Sequence, residues 1–300
     1  MTAFRCAAAS RARGDELAGT ASTVRSFLLL EHLGPWGVDA LRDARLPDGL
    51  GAHLQEQARR HRVRVLLVRR PGRRAGAGPT RVVAARAAGP ASWAEGADLD
   101  RIDDVRDVDL AALGAGRSVG LEPQGDPVLA VCTHGRHDAC CAELGRPVAS
   151  ALADGPQAAA VWETSHVGGD RFAGNLVVLP RGLYYGGLDP DSAHEVAAAT
   201  ARGEVLLEFF RGRSDLPMAV QAADVALRRE HGLLGLDDLR PGVVQVADDL
   251  TTARFAVVGH GEVDVVVRRV LGADLHRLTC SAVRDSAVPR HEVIEVRGAS

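Results

Sequence analysis

The sequence predicts an α/β protein with a β-rich tail. Two observations point there. Up to residue 232, short apolar runs of strand length alternate with helix-period stretches bounded by capping residues. Beyond it, β-branched runs follow one another with only turn residues between. At 300 residues and 46% hydrophobic content, the chain is long enough for two compact units, each with its own core.

Residues 23–34 (TVRSFLLLEHLG) read as a strand and a turn, and 51–61 (GAHLQEQARRH) as a short helix. Two strands, 62–70 and 80–88, follow on either side of a Gly/Pro/Arg turn. Residues 89–127, rich in Gly, Pro and Asp, read as a linker. Then VLAVCTHGR (128–136) begins as a buried strand, and 138–153 is a helix with Asp138 as N-cap, kinked or restarted at Pro147. Residues 158–166 form a strand, 175–188 a hairpin turning near Arg181–Gly182, and 189–203 a helix with a Gly stop. Strand–helix–strand–hairpin–helix is the thioredoxin-like order. An amphipathic helix (216–232) and three β-rich stretches (243–249, 254–270, 291–296) complete the chain.

The expected organisation is therefore an N-terminal α/β unit (1–120), a thioredoxin-like domain (125–212), and a helix with a β-rich C-terminal extension (213–300). The N-terminal unit is compatible with a degenerate thioredoxin-like copy, although no residue-level repeat is visible.

Composition narrows the function. The net charge of −3 gives no global attraction to nucleic acid or membrane. All 36 basic residues are Arg, which with the Ala and Gly load suggests a bacterial gene of high GC content. The longest apolar run near the start, Phe27–Leu30, is far below the roughly 18 residues of a membrane helix. No basic stretch followed by a long apolar run opens the sequence, so a cytoplasmic protein is expected. There is no P-loop and no dinucleotide fingerprint. The eight arginines between Arg59 and Arg74 read as a solvated face, or as a docking patch for an acidic redox partner.

Five cysteines are present, and Cys132, Cys140 and Cys141 are crowded together, which in a reducing compartment favours metal or redox chemistry over disulfides. Cys132 falls at a strand end, and Cys140 and Cys141 in the first turn of the next helix, where unpaired N–H groups lower a thiol pKa. Eight residues separate Cys132 from Cys141, enough for a loop to return both sulfurs to one metal. The second half of the constellation is SHVGGDRFAGN (165–175), in which His166 and Asp170 straddle Gly168 and Gly169. Those glycines allow close backbone approach to a bound group. Two sulfurs from one loop and two donors from another suit a [2Fe–2S] centre. Arg171 stands beside it as a cofactor contact, or as a plain salt-bridge partner of Asp170. Cys6 and Cys280 are isolated and read as structural.

Four blocks resemble the sucrase/ferredoxin-like family, a branch of the thioredoxin-like ferredoxins: GTASTVRSFLLLEHLGPWG (19–37), CTHGRHDACCAELGRP (132–147), WETSHVGGDRFAGNLVVLP (162–180) and FRGRSDLPMAVQAADVALRR (210–229). The resemblance implies a [2Fe–2S] cluster held by two Cys and two His. The matching positions are Cys132, Cys141 and His166, while the family's second histidine falls on Asp170. Asp170 is then an oxygen ligand that lowers the reduction potential, or is replaced by Cys140, His134 or His137. His134 and His137 otherwise read as hydrogen-bonding residues of the loop. The implied role is an electron carrier or redox sensor acting on a partner protein, rather than an enzyme. A zinc or other metal-binding module and a metal-free scaffold are the alternatives. No carboxylate pair suggests sugar cleavage.

Overall fold

The computed structural model describes residues 3–72 and 79–298. After helix α1 (Cys6–Arg13), the first half contains β1 (Ser26–Glu31), α2 (Ala40–Asp43), α3 (Leu50–His61), β2 (Val63–Arg69), β3 (Thr80–Arg86), β4 (Trp93–Leu99), α4 (Leu110–Gly114) and β5 (Glu122–Pro123). The second half contains β6 (Val128–Cys132), α5 (Ala139–Ala153), β7 (Val161–Thr164), β8 (Leu176–Leu179), β9 (Leu183–Tyr185), α6 (Pro190–Ala201) and β10 (Phe210–Arg213). Then come α7 (Met218–His231), β11 (Leu239–Ala247), β12 (Leu250–Val257), β13 (Gly261–His276) and β14 (Ser286–Gly298).

The continuous apolar runs of β1 and β6 predict strands covered on both faces, and every residue of both is buried. Each is the centre of its half. β1 pairs with β2 in parallel and with β3 antiparallel, and β6 pairs with β7 in parallel and with β8 antiparallel. Each half closes with a further antiparallel pairing, β3 with β4 and β8 with β9. The two halves therefore share one strand plan. They meet through an antiparallel pairing of β2 with β7, in register at Val68–Thr164 and Arg69–Glu163. The result is a single ten-stranded sheet, order β10-β9-β8-β6-β7-β2-β1-β3-β4-β5.

One face of this sheet is a core common to both halves, with Phe27 and Leu29 of β1 and Ala130 and Cys132 of β6 in the same cluster. On the other face the halves have separate cores. Leu28 and Leu30 pack with Leu50 and Leu54 of α3, whereas Leu129 and Val131 pack with Val148 and Leu152 of α5. The tail forms its own four-stranded antiparallel sheet, β11-β12-β13-β14. Alternation along β12 and β13 turns Ala253, Phe255, Val263, Val265 and Val267 toward Val220, Ala223 and Leu227 of α7.

Several expectations need correction. The two strands read at 62–70 and 80–88 are β2 and β3, and they flank β1 on opposite sides. The turn expected between them falls largely on residues 73–78, outside the described residues, as do Arg73 and Arg74 of the basic run. Residues 89–127 are not a linker. Their Gly, Pro and Asp residues punctuate short elements, and Ala94, Val105, Leu110 and Leu113 are buried. α5 runs through Pro147 without restarting. The β-rich stretch 254–270 belongs to β12 and β13, which are separated by a turn at residues 258–260.

Candidate metal centre

The site lies at the carboxyl ends of β6 and β7, beside the seam between the halves. Cys132 is the last residue of β6. Asp138 accepts a hydrogen bond from the Cys140 backbone N–H at 2.9 Å and so starts α5, which sets Cys141 facing Cys132. His166 follows β7 directly, and Gly168 and Gly169, both with positive φ, turn the chain so that Asp170 returns to it. The donor atoms of Cys132, Cys141 and His166 lie within 4.8 Å of one another, and so do those of His137, His166 and Asp170. The structure thus brings together all four residues singled out as ligands and adds His137.

The electrostatics are unequal. Cys141 donates to Asp170 Oδ1 at 3.2 Å. The Cys132 thiol is held well below its ordinary pKa, because the Cys141 hydrogen bond and the His166 imidazole outweigh burial. The Cys141 thiol is pushed up by its hydrogen bond with Cys132, by burial and by the nearby Asp170 carboxylate. The helix N-terminus was expected to activate Cys141, but two anionic neighbours overrule it. Burial opposes charge on His166, yet Asp170 and Cys132 together push its pKa up to about 9. Asp170 remains ionised despite burial because His166 faces it. His166 Nδ1 lies 2.9 Å from Asp170 Oδ1, at an angle that leaves this buried nitrogen without a hydrogen bond. Two thiols, two imidazoles and a carboxylate, in two triads of donors that share His166, fit a metal group.

His134 is a positioning residue. Its Nε2 donates to Gly37 O at 2.9 Å and its Nδ1 accepts from His166 N–H at 3.2 Å, so both ring nitrogens are occupied. His137 donates through Nδ1 to Val38 O at 3.2 Å, which leaves Nε2 directed inward, 3.9 Å from Asp170 Oδ2. Its ring stacks on His166 at 3.9 Å. A backbone carbonyl fixing one imidazole nitrogen while the other faces the site is the usual arrangement of a metal ligand.

Arg171 does not pair with Asp170. Its Nε points to Asp15 Oδ2 at 3.4 Å and its guanidinium covers Phe172. Gly168 and Gly169 are needed for a reason other than cluster contact. A Cβ at Gly169 would stand 2.3 Å from Arg211 Nη2, and one at Gly168 2.3 Å from Ser22 Oγ. Arg211, on β10, is the functional residue that sequence reasoning missed. It is 1% exposed and donates to Asn175 Oδ1 at 2.7 Å, Gly168 O at 3.0 Å, and Thr20 O and Oγ1 at 2.5 and 3.1 Å. It puts a buried positive charge beneath the site, and burial lowers its pKa to about 10. Its only signal in the sequence was its place in the block 210–229.

The sucrase/ferredoxin-like family model matches residues 17–212. The chain belongs to the sucrase/ferredoxin-like family. The match covers both halves of the large sheet and every residue of the site, and it leaves out α1 and the C-terminal sheet. No curated protein and no solved structure matches the chain. Among the described residues, no helix is long and apolar enough to cross a membrane.

Proposed function

We propose that this protein binds a [2Fe–2S] cluster and passes single electrons to a partner redox protein. The observation that carries the reading is the asymmetric donor set. Cys132 and Cys141 are each 1% exposed, whereas the His166 and His137 side chains are 27% and 35% exposed. Cys132 and Cys141 would hold the cluster from the core side, with buried Asp170, and His166 from the exposed side. A bound cluster would supply one-electron chemistry at a potential set by ligand charge and burial. This chain's residues do the rest. Arg211 offsets the negative charge of the thiolates and Asp170. His134 and Ser22 hold the loop 165–170 through His166 N and Val167 O. The exposed imidazole edge gives the partner its point of approach, and the described arginines of 59–70 would steer an acidic one.

The test is electron paramagnetic resonance of dithionite-reduced protein purified without oxygen. A reduced [2Fe–2S] signal whose g-values change in His166→Cys is expected. A well-folded, iron-free protein would sink the reading. A second reading, a single zinc ion, draws on the clustering of Cys132, Cys141 and His166 donors within 4.8 Å. Colourless protein with one zinc lost in Cys132→Ser would select it.

A further inference from the structure

We infer that the chain carries a second, separate metal site, a tetrahedral zinc site formed by Cys6, Asp138, Cys140 and Cys280. These residues come from α1, the α5 N-cap, the first turn of α5 and the loop between β13 and β14. Cys6 and Cys280 both lie outside residues 17–212, the part matched by the family, and are 274 positions apart in the chain. Yet the donor atoms of all four residues lie within 4.8 Å of one another.

The distances are those of a single-ion site. Cys280 Sγ is 3.4 Å from Cys140 Sγ and 3.6 Å from Cys6 Sγ. Cys6 Sγ is 3.6 Å from both oxygens of Asp138. A tetrahedron with Zn–S of about 2.3 Å and Zn–O of about 2.0 Å has S···S edges of about 3.7 Å and S···O edges of about 3.5 Å. A disulfide would need sulfurs at about 2.05 Å, and Cys280 faces two sulfurs equally rather than one. Thiols packed only as small hydrophobes would not share their cavity with a carboxylate.

The surroundings match a thiolate site. The Cys6 N–H points at Cys280 Sγ at 3.5 Å. Asp138 is fixed by the Cys140 N–H on Oδ1 at 2.9 Å and the Cys280 N–H on Oδ2 at 2.7 Å, which leaves a lone pair on either oxygen for the ion. Arg277 binds Cys280 O and covers Phe4, which closes the loop over the cluster. The soft donor set selects zinc over harder divalent ions. The ion would tie both outer segments of the chain onto α5. Because Cys140 adjoins Cys141, and α1 packs on the short turn beginning at Asp170, it would also brace the first site from behind.

The test uses Cys132→Ser/Cys141→Ser protein, in which the first site cannot assemble, so its outcome is independent of the iron–sulfur reading. Purified from cells, this protein should retain one equivalent of zinc by elemental analysis. Adding Cys6→Ser or Cys280→Ser should remove it. Cobalt(II) added to the stripped protein should give the spectrum of a tetrahedral thiolate complex, and one equivalent of zinc should quench it. Should that double variant fold poorly, the comparison is made with the first-site cysteines intact, where Cys280→Ser should lower the cobalt bound by one equivalent; an unchanged amount would overturn the proposal. Zinc content unaffected by Cys280→Ser, no cobalt binding by folded protein, or a Cys280 disulfide found by mass spectrometry would each overturn the proposal.

Discussion

Asp170 carries the most weight of any single residue, because its carboxylate meets Cys141, His166 and His137 together. In the proposed cluster site an anionic Asp170 ligand would lower the reduction potential relative to a neutral imidazole. Asp170→His is therefore expected to raise the midpoint potential in a redox titration; an unchanged midpoint would remove Asp170 from the ligand set and leave His137 to fill it. His166 gives a pH signature in the metal-free protein. Its folded pKa of about 9 stands above the ordinary 6.5. The stabilisation from its charge is therefore fully present below about pH 6.5 and is lost as pH rises through about 9. Urea midpoints of metal-free protein should fall across that window, and His166→Gln should flatten the fall. Gly169 shows how the residue scale constrains the rest: a side chain there would collide with the guanidinium on which the loop rests.

At the scale of elements, α5 matters most. Its first turn points Cys140 and Cys141 in different directions, since successive helical residues diverge by about 100°. The vicinal cysteines thus fall in two separate groups of side chains, Cys141 with Cys132 and Cys140 with Cys6 and Cys280. The helix α7 joins the two sheets. Its Gln221 bonds Ala21 O and N–H beside the large sheet, and Arg228 bonds Asp224 at 2.8 Å with both side chains buried. Arg228 also donates to Gly235 O at 2.8 Å and so fixes the chain leaving the helix. Asp224→Asn leaves a buried cation uncompensated and should cost about 3–5 kcal/mol in denaturant unfolding. A change below 1 kcal/mol would show that the carbonyls around Arg228 suffice.

For the whole molecule, the decisive feature is the union of two similarly built halves in one sheet. Cys132 ends β6 opposite Thr164, and Glu31 ends β1 opposite Val68, so Glu31 occupies the equivalent position in the first half. That half has a carboxylate where the second has the Cys132 thiol, and it serves as a buttress. It holds His134 and His137 through Gly37 and Val38, and Arg64 donates to Val167 O at 2.7 Å across the seam. Arg64→Ala should leave the far-ultraviolet circular dichroism unchanged yet lower the iron retained per protein on gel filtration. Full retention would show that the second half holds its site unaided.

The reading of residues 128–203 needed little correction, because each element there carries its own local signal. Asp138 and Asp189 cap helices, Gly203 follows one, and β6 is apolar throughout. That Cys132, Cys141, His166 and Asp170 lie near one another was legible for the same reason, since two short loops hold all four. Residues 89–127 were misread because their elements are short and gain stability only by packing on β3 and α3. Arg211 was missed because a buried arginine and an exposed one look alike in sequence. Local sequence thus determined the elements of the second half and the chemistry of its loops. Only the tertiary structure decided that β2 meets β7, that Arg211 lies beneath the site, and that Cys6 and Cys280 reach Cys140. Those contacts join residues far apart in the chain, and burial rather than local propensity selects them.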